Sequence, residues 1–386
     1  MQRLYCRHDQ LSVLNSSLFV FHFLPIENKI PPLIGWQINW LSWNCQNEGH
    51  NKLIALPGRL NFVGFHFQTS AGMYRFLDSD AVRKERRLIW AVNRSVMENL
   101  GSIHKKNGKK SKSHWNLFIG LLRIFAVLLK LTGFYKKGYG NAKHIRVNEI
   151  SLSYPDLPAA YDGFRILHLS DLHIDSIPGF ASLLIDKIKP LQFDLCLLTG
   201  DFRRDIHGSF SHILKPLHIL GKYLTAPFGT FAVLGNHDTY LMAQYEPESG
   251  MELLINESVE ITKEGEKILV TGTDDPFNFY TDAALLSLET TGYAFKIAMV
   301  HTPELSQAAA ANGYDLYLCG HTHGGQICLR EGVPLISHQF EGKQFNHGLW
   351  HLGRMKGYTS PGAGVSGMPV RFNCPAEITL FSLKRS

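Results

Sequence analysis

Five short apolar runs in this 386-residue chain each stop at a histidine, an aspartate or an asparagine, all of them downstream of Asn148. No other feature constrains the fold as much. Apolar strands alternating with helical stretches are α/β organisation, and such sheets carry their working side chains where the strands end. The expected strands are Arg165 to Leu169, Leu195 to Leu198, Thr230 to Leu234, Ile268 to Thr271, Lys296 to Val300, Leu316 to Leu318 and Ile378 to Leu383. The expected helices are Gly179 to Ile188, Phe210 to Leu224, Tyr240 to Ile255, Asp282 to Leu288 and Pro303 to Asn312.

The motifs that end the runs are Asp171-Leu172-His173, Gly200-Asp201, Gly235-Asn236-His237-Asp238, His301 and Gly320-His321-Thr322-His323. In extended chain, residues two apart point to the same side. Asp171 and His173 can therefore address one cation, and His321 and His323 repeat the two-apart geometry with two imidazoles. Gly200 lets the backbone turn tightly and leaves the Asp201 carboxylate free to bridge two ions. Met singly, each histidine reads as an ordinary hydrogen-bonded residue, and GNHD as a turn. Together, two carboxylates, one amide and four imidazoles make a mixed oxygen and nitrogen set suited to manganese, iron or zinc, and ill matched to calcium.

The order D-x-H, G-D, G-N-H-D, H, G-H-x-H resembles the calcineurin-like metallophosphoesterase superfamily, from about Ile166 to Leu383. GHTHGGQI at Gly320 to Ile327 and GAGVSGMPVRFNCPAEITL at Gly362 to Leu380 are similar to its bacterial YaeI/YkuE-type members, many of them membrane-associated. The resemblance implies two mixed β-sheets packed face to face with helices outside. It makes Asp171, His173, Asp201 and His323 the ligands of one divalent metal, and Asp201, Asn236, His301 and His321 those of a second, with Asp201 bridging. Two such cations lower the pKa of a water held between them and neutralise phosphate oxygens during in-line attack. His237, beside Asn236 but outside the ligand set, is the candidate general acid, with Asp238 expected to orient its ring. Arg203 and Arg204 stand where family members often have a small or acidic residue. With Arg371 they are candidate contacts for a substrate anion, solvated surface arginines being the plainer alternative.

Upstream of Asn148 the resemblance ends. Residues 1–82 lack sustained helical or alternating period and are left unplaced; Arg3, Arg7 and Leu11 to Ile26 form only a weak signal sequence interrupted by polar residues. A duller alternative is that translation begins at Met73 or Met97. The net charge of +6 is concentrated here, with Arg83, Lys84, Arg86, Arg87 and Arg94 followed by Lys105, Lys106, Lys109, Lys110 and Lys112. This basic stretch is expected as a surface or a tail, running into Trp115 to Phe134. That segment approaches the twenty residues of a membrane span, but Arg123 lies well inside it, at about 2.5–3.5 kcal/mol for a charge at the centre. An amphipathic helix lying in the interface, with Arg123 and Lys130 toward anionic headgroups, fits better. A basic arm for nucleic acid fits worse, because an apolar segment follows rather than interleaved aromatic and basic residues.

The expected organisation is a segment of unknown structure (1–82), a basic membrane-associating segment (83–148) and a metallophosphoesterase domain (149–386). Six cysteines without framework spacing point to reduced thiols and a cytoplasmic-face, peripheral membrane placement. The expected activity is metal-dependent phosphodiester hydrolysis on a lipid-linked substrate such as a UDP-acylglucosamine. A soluble nucleotide phosphodiesterase or general phosphatase is the alternative, and a non-catalytic interaction module the remote one.

Overall fold

Uninterrupted apolar strands have no face for water, so they need cover on both sides. A computed structural model describes residues 67–68, 73–107, 120, 124–245, 249–329, 333–335 and 345–386. In chain order its elements begin with β1 (Phe67–Gln68), β2 (Met73–Phe76), α1 (Asp80–Asn107), α2 (Phe134–Lys143), β3 (Ile145–Tyr154), β4 (Arg165–Leu169), α3 (Phe180–Ile188) and β5 (Leu195–Thr199). They continue with α4 (Ser211–Gly221), β6 (Thr230–Val233), β7 (Glu252–Leu253), β8 (Glu257–Lys263), β9 (Glu266–Gly272), α5 (Pro276–Phe279), α6 (Asp282–Leu286) and β10 (Lys296–Met299). The chain closes with α7 (Ser306–Ala311), β11 (Leu316–Cys319), β12 (Gly348–Leu352), β13 (Met355–Thr359) and β14 (Ala376–Arg385).

The strands form two mixed sheets, ordered β3-β14-β4-β5-β6-β7 and β1-β2-β8-β9-β10-β11-β13-β12. Side chains on successive residues of a strand face opposite ways, and this sorts the apolar runs between layers. Ile166, Leu195, Leu197, Ile297, Met299, Leu316 and Leu318 meet in the core between the sheets. Their neighbours Leu167, Leu169, Cys196 and Leu198 face α3 and α4, in a cluster with Leu184 and Leu217. Ala298, Val300, Tyr317 and Cys319 pack on the other outer side with Ala309 of α7. The architecture is the expected sandwich of two sheets between helices. β4, β5 and β6 run parallel in one sheet, and β9, β10, β11 and β13 in the other. The loops that follow these parallel strands carry the motifs.

Several elements differ from expectation. Of the helix expected at Tyr240 to Ile255, the described residues show a short 3₁₀ helix, Tyr240–Tyr245, a helical residue at Ser249 and the short strand β7. Gly250, at φ 72°, turns the chain into that strand. β3 pairs in parallel with the whole of β14, from Ile145 against Ala376 to Tyr154 against Arg385. It therefore runs across residue 148, where the sequence places the domain boundary. The first part of the basic stretch, from Arg83 to Lys106, expected as a surface or a tail, lies in α1, which buries Trp90 and Arg94; Lys109, Lys110 and Lys112 lie outside the described residues. The expected interfacial helix, Trp115 to Phe134, lies partly outside the described residues. Its described end is helical over 124–131, and the chain then turns at Gly133 before α2. Among the described residues, no helix is long and apolar enough to cross a membrane.

Candidate metal centre

The ligand candidates do not extend the strands. Asp171, His173, Asp201, His321 and His323 all have positive φ, between 35° and 70°. Non-glycine residues pay for that region with steric strain, and it persists where the surroundings impose it. The three motifs that carry these residues therefore curl at their strand ends instead of alternating. The extended chain expected between Asp171 and His173, and between His321 and His323, is not what the fold adopts. The curls are cross-braced by backbone bonds. Asp171 N–H donates to Gly200 O at 2.9 Å, His173 N–H to Asp201 O at 3.0 Å, and Gly320 N–H to His301 O at 2.9 Å.

The side chains converge. His173 Nε2 lies 3.1 Å from His323 Nε2, which lies 3.4 Å from Asp171 Oδ1. His173 Nε2 is also 3.6 Å from Asp201 Oδ2. The other oxygen, Asp201 Oδ1, is 3.4 Å from His301 Nε2. Asn236 Oδ1 sits 3.0 Å from His301 Nε2 and 2.8 Å from His321 Nδ1. Three overlapping groups result: Asp171, His173 and His323; Asp201, His301 and His321; and His173, Asp201 and His237. Asp201 thus offers one oxygen to each side of the cluster.

Backbone carbonyls fix the tautomers. His173 Nδ1–H donates to Arg203 O at 2.8 Å and His301 Nδ1–H to Thr199 O at 2.7 Å. A carbonyl can only accept, so these rings carry their protons on Nδ1 and direct Nε2 at the cluster, an arrangement typical of metal-binding histidines. Ring nitrogens and amide and carboxylate oxygens thus converge within 3.0 to 3.6 Å of one another, a set of donor atoms that one or two cations could share. The donor set fits divalent cations with mixed nitrogen and oxygen preference.

The electrostatics agree. Burial pushes His173 down to about 4, against the pull of Asp201. Burial, then neighbouring His173, holds His323 well below the usual imidazole value. Both rings are thus neutral and in ligand form near neutrality. Burial alone would protonate Asp201, yet His301, His237 and His173 keep its carboxyl well below the usual range. Burial likewise opposes charge on His301, but Asp201, and then Asp171 and Asp275, carry it well above the ordinary value. Burial raises Asp171 to about 6, with His301 acting against it. The cluster demands positive charge beside Asp201.

Three expected roles change. Asp238 does not orient His237. Its carboxylate accepts from Asp201 N–H at 2.8 Å, Phe202 N–H at 2.9 Å and Gly235 N–H at 2.8 Å, pinning two ligand loops together. The ring of His237 is held instead by a bond from Nδ1–H to Arg204 O, with Nε2 3.9 Å from Asp201 Oδ2. Arg203 is buried and donates to the carbonyls of His237, Ile206 and Gly208. Arg371 is fully buried and donates to those of Pro361, Gly362, Gly364, Cys374 and Pro375. Both guanidinium groups are thus occupied with backbone carbonyls. Arg204 is partly exposed and pairs with Asp205 at 3.0 Å. One residue at the site had no motif to announce it. Phe277, on the Asp275-capped helix α5, lies against His321 with ring centroids 4.3 Å apart.

Residues 164–325 match the family model of the calcineurin-like phosphoesterases. The chain is 31% identical over 260 residues to the metallophosphoesterase YkuE of Bacillus subtilis, covering 64% of this chain and 90% of that protein. It is 32% identical over 240 residues to the phosphodiesterase YaeI of Escherichia coli, covering 57% of this chain and 82% of that one. A second Bacillus subtilis metallophosphoesterase, YkoQ, is 28% identical over 281 residues, its whole length and 67% of this chain. The chain belongs to the calcineurin-like phosphoesterase family. It is accordingly a hydrolase of phosphoester bonds, and its His/Asp clusters are those of a divalent-metal site.

Proposed function

We propose that the chain is a two-metal phosphodiesterase that acts at a membrane surface on a lipid-linked substrate of the UDP-acylglucosamine type. The observation that carries the membrane half of this reading is the surface around residues 124–134. Ile124, Val127, Leu128, Leu131 and Phe134 are 59%, 53%, 53%, 79% and 52% exposed. Lys130, Lys136 and Lys137 accompany them in the sequence. Large apolar side chains in water beside lysines suit the boundary between acyl chains and anionic headgroups.

In this reading Asp171, His173, Asp201 and His323 hold one cation, and Asp201, Asn236, His301 and His321 the other. When bound, such a pair of cations makes a water nucleophilic at neutral pH and neutralises phosphate charge. The chain's own part is positioning and proton supply. Asp201 keeps its charge and spans both halves of the cluster. His237, anchored through Nδ1 to Arg204 O with Nε2 toward Asp201, is the general acid for the departing alkoxide.

The test is manganese-dependent hydrolysis of bis-p-nitrophenyl phosphate beside p-nitrophenyl phosphate, with and without phosphatidylglycerol vesicles. Diester turnover is expected to need manganese, to vanish in Asp201→Asn and to rise with vesicles. His237→Asn is expected to keep its manganese and to lose roughly 10²–10⁴-fold on poor leaving groups. Turnover indifferent to vesicles would favour the soluble-nucleotide reading. No turnover with a loaded site would leave a non-catalytic module.

A further inference from the structure

α1 lies outside the residues that the family model matches, 164–325, yet it sends one charged side chain into the ground beneath the metal centre. Arg94 is buried, 1% exposed. Its Nη2 donates to Gly235 O and to Asp238 O, both at 3.0 Å. These two carbonyls bracket Asn236 and His237. Its Nη1 pairs with Asp274, and its Nε with Glu98 Oε1 at 3.1 Å. The guanidinium plane lies over the Phe279 ring, 3.4 Å from the centroid. The group is thus shared between its own helix and three other segments: the 235–238 turn, Asp274 and Phe279.

The partners extend the brace in two directions. Glu98 accepts from Tyr240 N–H at 2.8 Å and from the Thr239 hydroxyl at 2.7 Å, holding the chain just past His237. Asp274 accepts from Trp90 Nε1–H at 2.7 Å and from Asp275 N–H at 2.9 Å. Asp275 then caps α5, which carries Phe277 against His321. Two parts of the centre, the Asn236–His237 turn and the Phe277 wall beside His321, are joined through one guanidinium.

We propose that Arg94 is a positioning residue of the metal centre. It fixes Asn236 and His237 by their flanking carbonyls and ties them to the Asp274–Asp275 segment that carries Phe277. A fork of planar donors can meet both carbonyls and Asp274 at once; a lysine ammonium at the end of a flexible stem cannot reproduce that geometry. Partners of metal ligands typically change affinity or activity by about 10–100-fold when lost. The proposal rests on the two-metal hydrolase reading above.

The experiment uses the full chain with Arg94→Lys, Arg94→Ala and the milder Glu98→Gln. Manganese binding is followed by titration calorimetry, and kcat and KM are measured for bis-p-nitrophenyl phosphate and for a diester with a poorer phenyl leaving group. In Arg94→Lys one manganese site is expected to weaken about tenfold and kcat to fall about 10–100-fold, with KM little changed. The loss should be larger on the phenyl diester, because His237 is displaced. Glu98→Gln should shift the same quantities in the same sense by about threefold, a fraction of the full effect. A cavity of about 320 Å³ adjoins Arg94 between α1 and the segment around Asp274. Guanidinium ion at millimolar concentration should therefore restore part of the activity of Arg94→Ala, and sodium ion should not. Wild-type manganese affinity and kcat in both Arg94→Lys and Glu98→Gln would overturn the proposal. So would equal losses on both leaving groups with unchanged manganese binding. If the wild type binds manganese but turns nothing over, the hydrolase reading fails, and the calorimetry still decides the role of Arg94.

Discussion

Gly235→Ala isolates the close approach of two ligand loops. Gly235 does not have positive φ, so alanine meets no backbone objection there. The new Cβ would lie 2.2 Å from Asp201 Oδ1, 2.6 Å from Asp201 N and 2.9 Å from Asp201 Cγ. An ordinary carbon–oxygen contact is roughly 3.3 Å, so the carboxylate must retreat by about 1 Å. The loops cannot simply part, because Asp238 holds Asp201, Phe202 and Gly235 by three backbone N–H groups. The displaced group is the one carboxylate that faces both halves of the cluster. A misplacement of about 1 Å costs roughly 10²-fold in rate, which is about 2.7 kcal/mol of transition-state stabilisation. Overpacking adds about 1–3 kcal/mol of lost stability. The assay is manganese-dependent diester turnover, with metal content by mass spectrometry and unfolding by urea. Gly140→Ala, on α2 with nothing within 4 Å of its new Cβ, is the control and should leave turnover unchanged. Wild-type turnover and metal content in a folded Gly235→Ala protein would refute the steric argument.

Arg371→Met should destabilise the fold by about 3 kcal/mol or more, since it leaves buried carbonyls of the segment beside Asp171 without their donor. The thermal midpoint should drop by roughly 5–10 °C; a drop of less than about 2 °C would return Arg371 to candidacy as a substrate contact. His168 contributes a pH dependence of its own. Burial lowers its folded pKa to about 3, so on acidification the unfolded chain takes up a proton first. Stability from this group is full above about pH 6.5 and is lost as pH falls toward 3, by roughly 3 kcal/mol at pH 4.5. His168→Leu should flatten the acid limb of unfolding free energy against pH, and parallel limbs for the two proteins would contradict this assignment.

The strands, and the Asp, Asn and His residues that converge where they end, were legible because both are written in local chemistry. An apolar run that stops at Asp or His marks a strand end, and period-two sorting then places Ile166 inward and Leu167 outward without further information. The conformation of the ligands was not legible, because nothing about Asp171 or His323 advertises a left-handed backbone; the crowding of several loops imposes it. Arg371 looked like an anion contact because an arginine in a motif shows its charge but not its partners. α1 hid for a related reason. Its buried residues, Trp90 and Arg94, make too narrow an apolar stripe for the periodicity to show. Its basic residues find their partners far downstream, as Arg83 and Arg87 do at Glu257.

That internal use of charge bears on the membrane reading. The excess of lysine and arginine upstream of Asn148 suggested a surface available to anionic lipid. In the fold, Arg83, Arg87 and Arg94 are bound to Glu257, Glu98 and Asp274, and Arg86 pairs with Asp78 at 2.5 Å. Charges already neutralised at short range add little to attraction across a Debye length. The described residues best suited to meet a bilayer are therefore Lys130, Lys136 and Lys137, beside the exposed Leu131 and Phe134. At about 1 kcal/mol for each lysine near an anionic surface, this set supplies roughly 3 kcal/mol, a factor of about 10² in partitioning. Any vesicle dependence should then depend on the 124–137 surface, while α1 serves the metal centre from below. In the proposed reading, the two basic elements that the sequence presents as one segment have separate physical tasks.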